Sequence, residues 1–398
     1  MGFAPTSSRR QLFRSAALGG LALAAIAAFQ PVQAQDTVKL GLVAALSGTS
    51  AVSGEAITRG LTIAMEEINA AGGILGGKKI ALIRRDDESN PGKGVAAARE
   101  LIFSEKVAAF FGGIDTPVSF AIVPLANQQK VPFMGVWAAG TGITRNKAEP
   151  NYVFRVSAMD VLVDKALIAH AKAKFSADQV GLMLINNPWG ESNQVGLTAA
   201  AEEQGVKIVG IEKFEASDVD MVAQLTRLKQ AGAKSLILVS NAAPAAQMIK
   251  SMDRMGWDVP VVSHWGISGG RFTELAGPTA EKVHFIQTYS FFGEQSPTGK
   301  KVLDALMAKY SDVKGPGDVI APVGTANAYD AMHLLAKAID KAGSTDGDAI
   351  RKALESLGSH QGLIKTYNPA FTATEHDALN EKDYVMVRFK GDQIVPID

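Results

Sequence analysis

Residues 54–67 read "GEAITRGLTIAMEE" and residues 190–203 read "GESNQVGLTAAAEE": Gly, Glu, Gly, Leu, Thr, Ala, Glu and Glu recur in register at an offset of 136. Self-similarity at that distance fixes architecture before any motif does. The flanks correspond as well. Strand-like "VKLGLVAAL" and "QVGLMLI" precede the two segments, and "KKIALIRRD" and "VKIVGIEKF" follow them. Next come the helical patterns "GVAAARELIFSE" and "VDMVAQLTRLKQ", then "VAAFFGG" and "SLILVS", then "PVSFAIVPLANQQ" and "PAAQMIKSMDRMG", and finally "VPFMGV" and "VPVVSHW". Each half therefore reads β-α-β-α-β-α-β, with the near-continuous apolar strands of a parallel sheet buried on both faces. The fold class is α/β, built of two doubly wound, Rossmann-like lobes.

In such sheets ligands bind beyond the carboxyl ends of the strands, where loops and helix N-termini gather. Facing lobes would share one cleft, lined by "LSGTSAVSG", "GGIDTP" and "GVWAAGTG" from the first and by "NNPWGES", "SNAAP" and "SHWGISGG" from the second. Beyond residue 290 the repeat stops: three helical patterns follow, and the chain ends in strand-like "DYVMVRFK" and "QIVPI". The runs "YVFRVSA" and "VHFIQTYS" have strand character without a counterpart in the repeat and read as extended connections between lobes.

Composition agrees with a globular chain: 398 residues, 47% hydrophobic and 20% charged, too long for one ordinary core. At the N-terminus, "SSRRQLFRS" and the apolar "AALGGLALAAIAAF" end in "PVQAQD", a secretory signal over residues 1–34. Paired Arg9 and Arg10 fit a twin-arginine signal, and a general secretory signal with a chance pair fits equally. Without that segment 37 basic residues face 40 acidic ones, which offers nothing to nucleic acid or an anionic membrane. There is no cysteine, so a disulfide, a thiolate zinc site, a cysteine nucleophile and a lipid anchor are all excluded. A freely diffusing periplasmic protein is expected.

The residues resemble the periplasmic leucine/isoleucine/valine-binding proteins, the type I solute-binding proteins of ATP-driven importers. The likeness is carried by the L-S-G loop at 46–48, the "EINAAGGI" turn, the Asp86–Asp87 pair, "GGIDTPVSFAIVPLANQQKVPFMGV", "NYVFRVSA", "WGES" and "LAGPTAEKV". It implies two lobes joined by three hinge crossings, near Ser157, Gln287 and Thr366. Lobe one would be 37–156 plus 288–365, and lobe two 157–287 plus 366–398. It implies a monomer without cofactor that closes over a small carboxylate-bearing solute (an amino acid, an amide or an aromatic acid) and presents it to an inner-membrane ABC permease with its ATPase subunits. A ligand-sensing receptor component is the alternative use of the same module.

Carried onto this chain, the contacts fall on Ser47, Asp115, Thr116, Trp137, Ala138, Ala139, Thr141, Asn187, Trp189, Asn241, His264 and Trp265. Thr116 before Pro117 makes an anion site at a helix start, or an ordinary cap. Ala139 cannot supply the hydroxyl that relatives use, and Thr141 is the expected substitute. Trp265 stands where relatives keep the acid that pairs with an ammonium group. Three tryptophans at strand ends suit a planar or aromatic solute, unless the indoles merely pack beneath the loops. Trp257 reads as structural, and Asp115 is left as a possible ammonium partner.

Other chemistries fit the sequence less well. Gly266, Ser268 and Gly270 spell G-x-S-x-G, the mark of a serine nucleophile, yet the helix after it meets Pro278 too soon. The six histidines show no metal-ligand spacing, and no phosphate-cradling loop is present. The Asp86–Asp87 pair reads as a solvated, loop-capping strand end.

Overall fold

The computed structural model describes residues 1–2 and 37–397, so the expected signal segment lies almost wholly outside the described residues. The first sheet contains β1 (Thr37–Ala44), β2 (Lys79–Asp86), β3 (Ala109–Gly112), β4 (Phe133–Gly135) and β5 (Val153–Arg155), all parallel in the order β2-β1-β3-β4-β5. The second repeats that order as β7-β6-β8-β9-β10, from β6 (Gln179–Ile185), β7 (Lys207–Phe214), β8 (Ser235–Val239), β9 (Val261–Ser263) and β10 (Val283–Gln287). The halves thus match one strand further than the sequence reading allowed. "YVFRVSA" and "VHFIQTYS" supply β5 and β10, which are counterparts; their lengths and polarity differ, but each takes the same place beside β4 or β9.

Helices join the strands on both faces. In the first half they are α1 (Ala51–Ala70), α2 (Pro91–Arg99) and α3 (Thr116–Gln129). The second half has α4 (Asp160–Phe175), α5 (Pro188–Gln204), α6 (Val222–Gln230), α7 (Ala242–Arg254) and the short α8 (Phe272–Ala276). The chain then adds α9 (Pro297–Lys309), α10 (Pro322–Ala342) and α11 (Gly347–Leu354), with α10 packed along α1.

The glycines of the repeat have a common physical cause. A Cβ on Gly54 would sit 2.0 Å from the Ala45 carbonyl oxygen, and one on Gly190 would sit 1.8 Å from that of Ile185. The first turn of α1 and of α5 therefore lies against the end of the preceding strand, where only hydrogen fits. The second pair lets helices touch: a Cβ on Gly60 would meet the Thr325 carbonyl of α10 at 2.2 Å, and one on Gly196 would meet the Asp164 carboxylate of α4 at 2.0 Å.

The chain passes between the sheets after β5, beside buried Ser157, and after β10, beside buried Gln287. The third passage comes later than Thr366. Thr366 lies in a small hairpin of β11 (His360–Gln361) and β12 (Thr366–Tyr367), and the following residues stay on the first sheet. Arg155 of β5 donates its N–H to the His376 carbonyl and accepts from Ala378, both at 2.9 Å, while Phe371 packs edge-on against Phe154. Only at β13 (Val385–Lys390), antiparallel to β10 and followed by β14 (Gln393–Pro396), does the chain join the second sheet. The polar run "TATEHDALNEK" thus carries the passage, and residues 366–378 side with the first lobe because Arg155 holds them there.

Candidate functional site

From Asp36 onward the chain forms one compact unit. Between its two sheets lies a narrow recess of about 290 Å³, including the part continuous with solvent. It is lined by Ile114, Asp115, Thr116 and Pro117 at the start of α3, by Trp137, Ala138 and Ala139 after β4, and by Asn187, Trp189, Asn241, His264 and Trp265 from the second half. Three helix starts converge there, because Asp115, Asn187 and Asn241 are the N-cap residues of α3, α5 and α7. Sequence reasoning placed the cap of α3 one residue late, at Thr116, which is the first helical residue.

The three caps differ. Asn187 closes its own helix, accepting from the N–H groups of Trp189 at 2.9 Å and Gly190 at 3.1 Å. Asp115 and Asn241 do not cap theirs; instead the Asn241 amide donates to the Asp115 carboxylate across the recess at 3.4 Å. The starts of α3 and α7 are therefore left without a side-chain cap, and their N–H groups and dipoles favour an anion. Thr116, 2% exposed, accepts from the Gly140 N–H at 3.2 Å, which leaves its hydroxyl proton for another acceptor. The second oxygen of Asp115 is buried without a partner. Burial pushes this carboxyl above the usual carboxylate range, against the pull of the Ser89 hydroxyl and the Asn241 amide.

Aromatic rings form the remaining walls. Trp189 meets His264 edge-on, with centroids 5.0 Å apart and planes at 89°, and His264 lies 4.1 Å from the Trp265 ring. Trp137, Trp189 and Trp265 are all buried, so their faces border a tight recess rather than an open cleft. Trp257, as expected, stands apart: it lines a groove at the strand starts with Ile249, Met252, Val261 and Val283.

Two expected contacts lie elsewhere. The Ser47 hydroxyl bonds to Asp86, and Thr141 lines a neighbouring apolar hollow at the edge of the lobes with Phe120, Val161 and Val195. The Thr141 hydroxyl accepts from the Val161 N–H at 3.2 Å, at the start of α4, and lies outside the recess lining beside Ala139. Asp86 caps its loop by accepting from Leu46 and Glu88, both at 2.9 Å, but Asp87 is fully buried rather than solvated.

Two buried groups that the sequence reading missed support the recess from behind. Arg155, fully buried, donates to the carbonyl of Gly140 at 3.0 Å and to Thr144 Oγ1 at 3.0 Å, and pairs with Asp377 at 2.5 Å. Asp160 accepts from the Trp189 indole N–H at 3.2 Å. A signal for Asp160 existed: Asp160 and Asp164 fall on the same helix face as Val163, Leu167, Ile168 and Ala171, an apolar stripe where an acid is out of place.

The stretch "SHWGISGG" contains no nucleophile elbow. Ser268 lies in a short 3₁₀ helix, Trp265–Gly269, donates to the Trp265 carbonyl at 2.7 Å and accepts from the Gln287 amide at 3.2 Å. Neither partner is a base. Its glycines serve close approach: a Cβ on Gly266 would sit 2.7 Å from the Trp189 ring, and one on Gly269 would sit 2.0 Å from Ser53 Oγ. Ser53 donates to the Gly269 carbonyl at 3.2 Å, and the Thr141 N–H donates to Ser192 at 3.2 Å, so the two halves are bonded to each other at two places outside the recess lining.

Comparison with known proteins agrees with this architecture. The sequence profile of the family described as periplasmic binding protein matches residues 37–393. A Leu/Ile/Val-binding protein homolog 3 of Brucella melitensis is 26% identical over 383 residues, covering 96% of this chain and 99% of the relative. A periplasmic binding protein type 1 from Bordetella pertussis superposes with a TM-score of 0.82 at 26% identity, over 91% of this chain and all of the other (100%). A branched-chain amino acid transporter substrate binding protein from Streptococcus pneumoniae, solved with isoleucine, gives a TM-score of 0.76 at 27% identity, over 90% and 98%. With the repeated sheets, the multiple passages and the recess between them, the chain belongs to the periplasmic binding proteins of the leucine/isoleucine/valine-binding type.

Proposed function

We propose that the protein captures a small carboxylate-bearing solute in the interlobe recess by hinge closure, in the periplasm, and delivers it to an inner-membrane ABC permease with its ATPase subunits. The observation that carries this reading is the pair of helix starts, α3 and α7, left without side-chain caps at a recess that no lysine or arginine lines. A carboxylate there would take the N–H groups of α3 and the Thr116 hydroxyl, supplying the charge those dipoles lack. Asp115, with one buried and unpartnered oxygen, suits an ammonium group on the same solute. The aromatic walls then favour a flat or bulky side chain, and the small volume excludes peptides.

A thermal-shift panel tests the reading, because a ligand of the folded state raises the melting temperature. Isoleucine, phenylalanine, 4-hydroxybenzoate and a small amide, each beside its methyl ester or decarboxylated analogue, would separate the classes. The acids are expected to stabilise and their esters not. Asp115→Asn should abolish the response to amino acids while sparing aromatic acids. Equal shifts from acids and esters would remove the carboxylate from the account.

A further inference from the structure

Behind the recess, and not lining it, Asp160 is wholly buried as the first residue of α4, directly after the first passage between the lobes. Its backbone N–H donates to the carbonyl of Ala139, in the first-lobe recess loop, at 2.9 Å. Its side chain reaches the other way. One carboxylate oxygen accepts from the Trp189 indole N–H at 3.2 Å and lies 3.2 Å from His264 Nε2, off the line of a good hydrogen bond.

The imidazole tautomer follows from its other nitrogen. The Trp265 backbone N–H donates to His264 Nδ1 at 3.1 Å, so Nδ1 carries no proton and the neutral ring bears its hydrogen on Nε2, toward Asp160. The α4 N-terminus and the Trp189 indole N–H both favour negative charge at this place. One turn further, Asp164 is equally buried, has neither oxygen partnered and touches neither ring in this way. Burial, with Asp160 adding to it, pushes the Asp164 carboxyl well above the ordinary range.

We infer that Asp160 is a positioning residue of the recess: one carboxylate oxygen holds the Trp189 indole and sits against the edge of the His264 imidazole, while its backbone bonds to the loop at Ala139. The inference rests on the reading of the recess as the solute site, but its geometry is measurable without a solute. Asp160 contributes no contact to the cargo. Its side chain acts on two aromatic walls of its own lobe, and its backbone bonds to a loop of the other.

The experiment compares the parent protein with Asp160→Asn and Asp164→Asn. Nitrogen-15 spectra of the histidine side chains and solvent exchange of the Trp189 indole N–H give the geometry, and calorimetric titration with isoleucine and with 4-hydroxybenzoate gives affinity. In the parent, His264 should show the Nε2–H tautomer and a protected Trp189 indole; an Nδ1–H tautomer or a freely exchanging indole there overturns the inference without any variant. In Asp160→Asn the tautomer should become mixed, indole exchange should quicken at least tenfold, and the Kd of whichever probe the parent binds should rise at least tenfold. In Asp164→Asn all three should stay within about twofold, and equal effects in both variants would reduce Asp160 to bulk packing. If the parent binds neither probe, the choice of solute in the functional reading fails, while the spectra still decide the role of Asp160.

Discussion

Trp189 and Trp257 form a matched pair for separating the recess from the rest of the molecule. They are 8% and 9% exposed, so truncating either to alanine removes a similarly buried indole, at a stability cost of about 3–5 kcal/mol. Only Trp189 borders the recess. Its Nε1 edge is held by Asp160 and its far edge lies against Gly266, so the part still exposed borders the recess. At 8% exposure the Trp189 side chain has only about 20 Å² left for a solute to cover, worth about 0.5 kcal/mol at about 25 cal/mol per Å². Ring stacking adds about 0.5–1.5 kcal/mol, for a total of about 1–2 kcal/mol. Trp189→Ala should therefore weaken binding roughly 5- to 30-fold, and Trp257→Ala less than about threefold. Calorimetric titration with a solute from the thermal-shift panel measures both, and denaturant melts show whether the two variants lost comparable stability. Equal losses of affinity would refute the placement of the site.

Other expectations follow from the packing and from buried charge. Gly190→Ala puts a Cβ 1.8 Å from a backbone oxygen and should lower stability by more than about 3 kcal/mol, whereas Gly358→Ala, with open space around it, should stay within about 0.5 kcal/mol in the same urea titration. Asp87 is pushed up to about 7 by burial, with the Asp115 and Asp86 charges adding to it. A carboxyl raised in the folded state contributes stability that is present below about pH 4 and is lost as pH rises through about 7. Asp87→Asn, which keeps an acceptor for the Ser89 N–H at 2.8 Å, should thus raise the melting temperature at pH 8, by an effect of up to about 4 kcal/mol, and have little effect at pH 4. A melting temperature unchanged at pH 8 would contradict the buried charge. His284, 2.8 Å from His170, is depressed to about 4 by burial, with His170, Lys174 and Arg388 adding. A histidine lowered in the folded state gives stability present above about pH 6.5 and lost as pH falls toward about 4, so His284→Gln should flatten the acid limb of the stability curve by about 1–2 kcal/mol after solvent screening.

The fold was legible because both halves obey the same local constraints. Gly54 and Gly190 recur since each helix start presses on a carbonyl, and Gly60 and Gly196 recur since each helix touches another. What escaped was set by tertiary pairing. The strands β5 and β10 are three and five residues long, too short to show a pattern, and they find their places by pairing with β4 and β9. The third passage escaped because the Arg155–Asp377 pair joins residues 222 apart. At the site, loops at strand ends were readable, and they converge as the topology requires. Thr141 and Ser47 lie outside the recess lining, where nearer partners, the Val161 N–H and Asp86, bond to their hydroxyls. Asp160 was not singled out, because its partners Trp189 and His264 are distant in sequence and meet it only once the second half has folded.

The central claim, that the uncapped helix starts between the lobes hold a carboxylate, is tested most directly by a crystal structure of the protein with the most stabilising acid from the panel. The account predicts density for the solute between Thr116, Trp189 and Trp265, its carboxylate on the N–H groups of α3 and the Thr116 hydroxyl. Density with the carboxylate facing away from α3, or a solute seated in the groove beside Trp257, would contradict it.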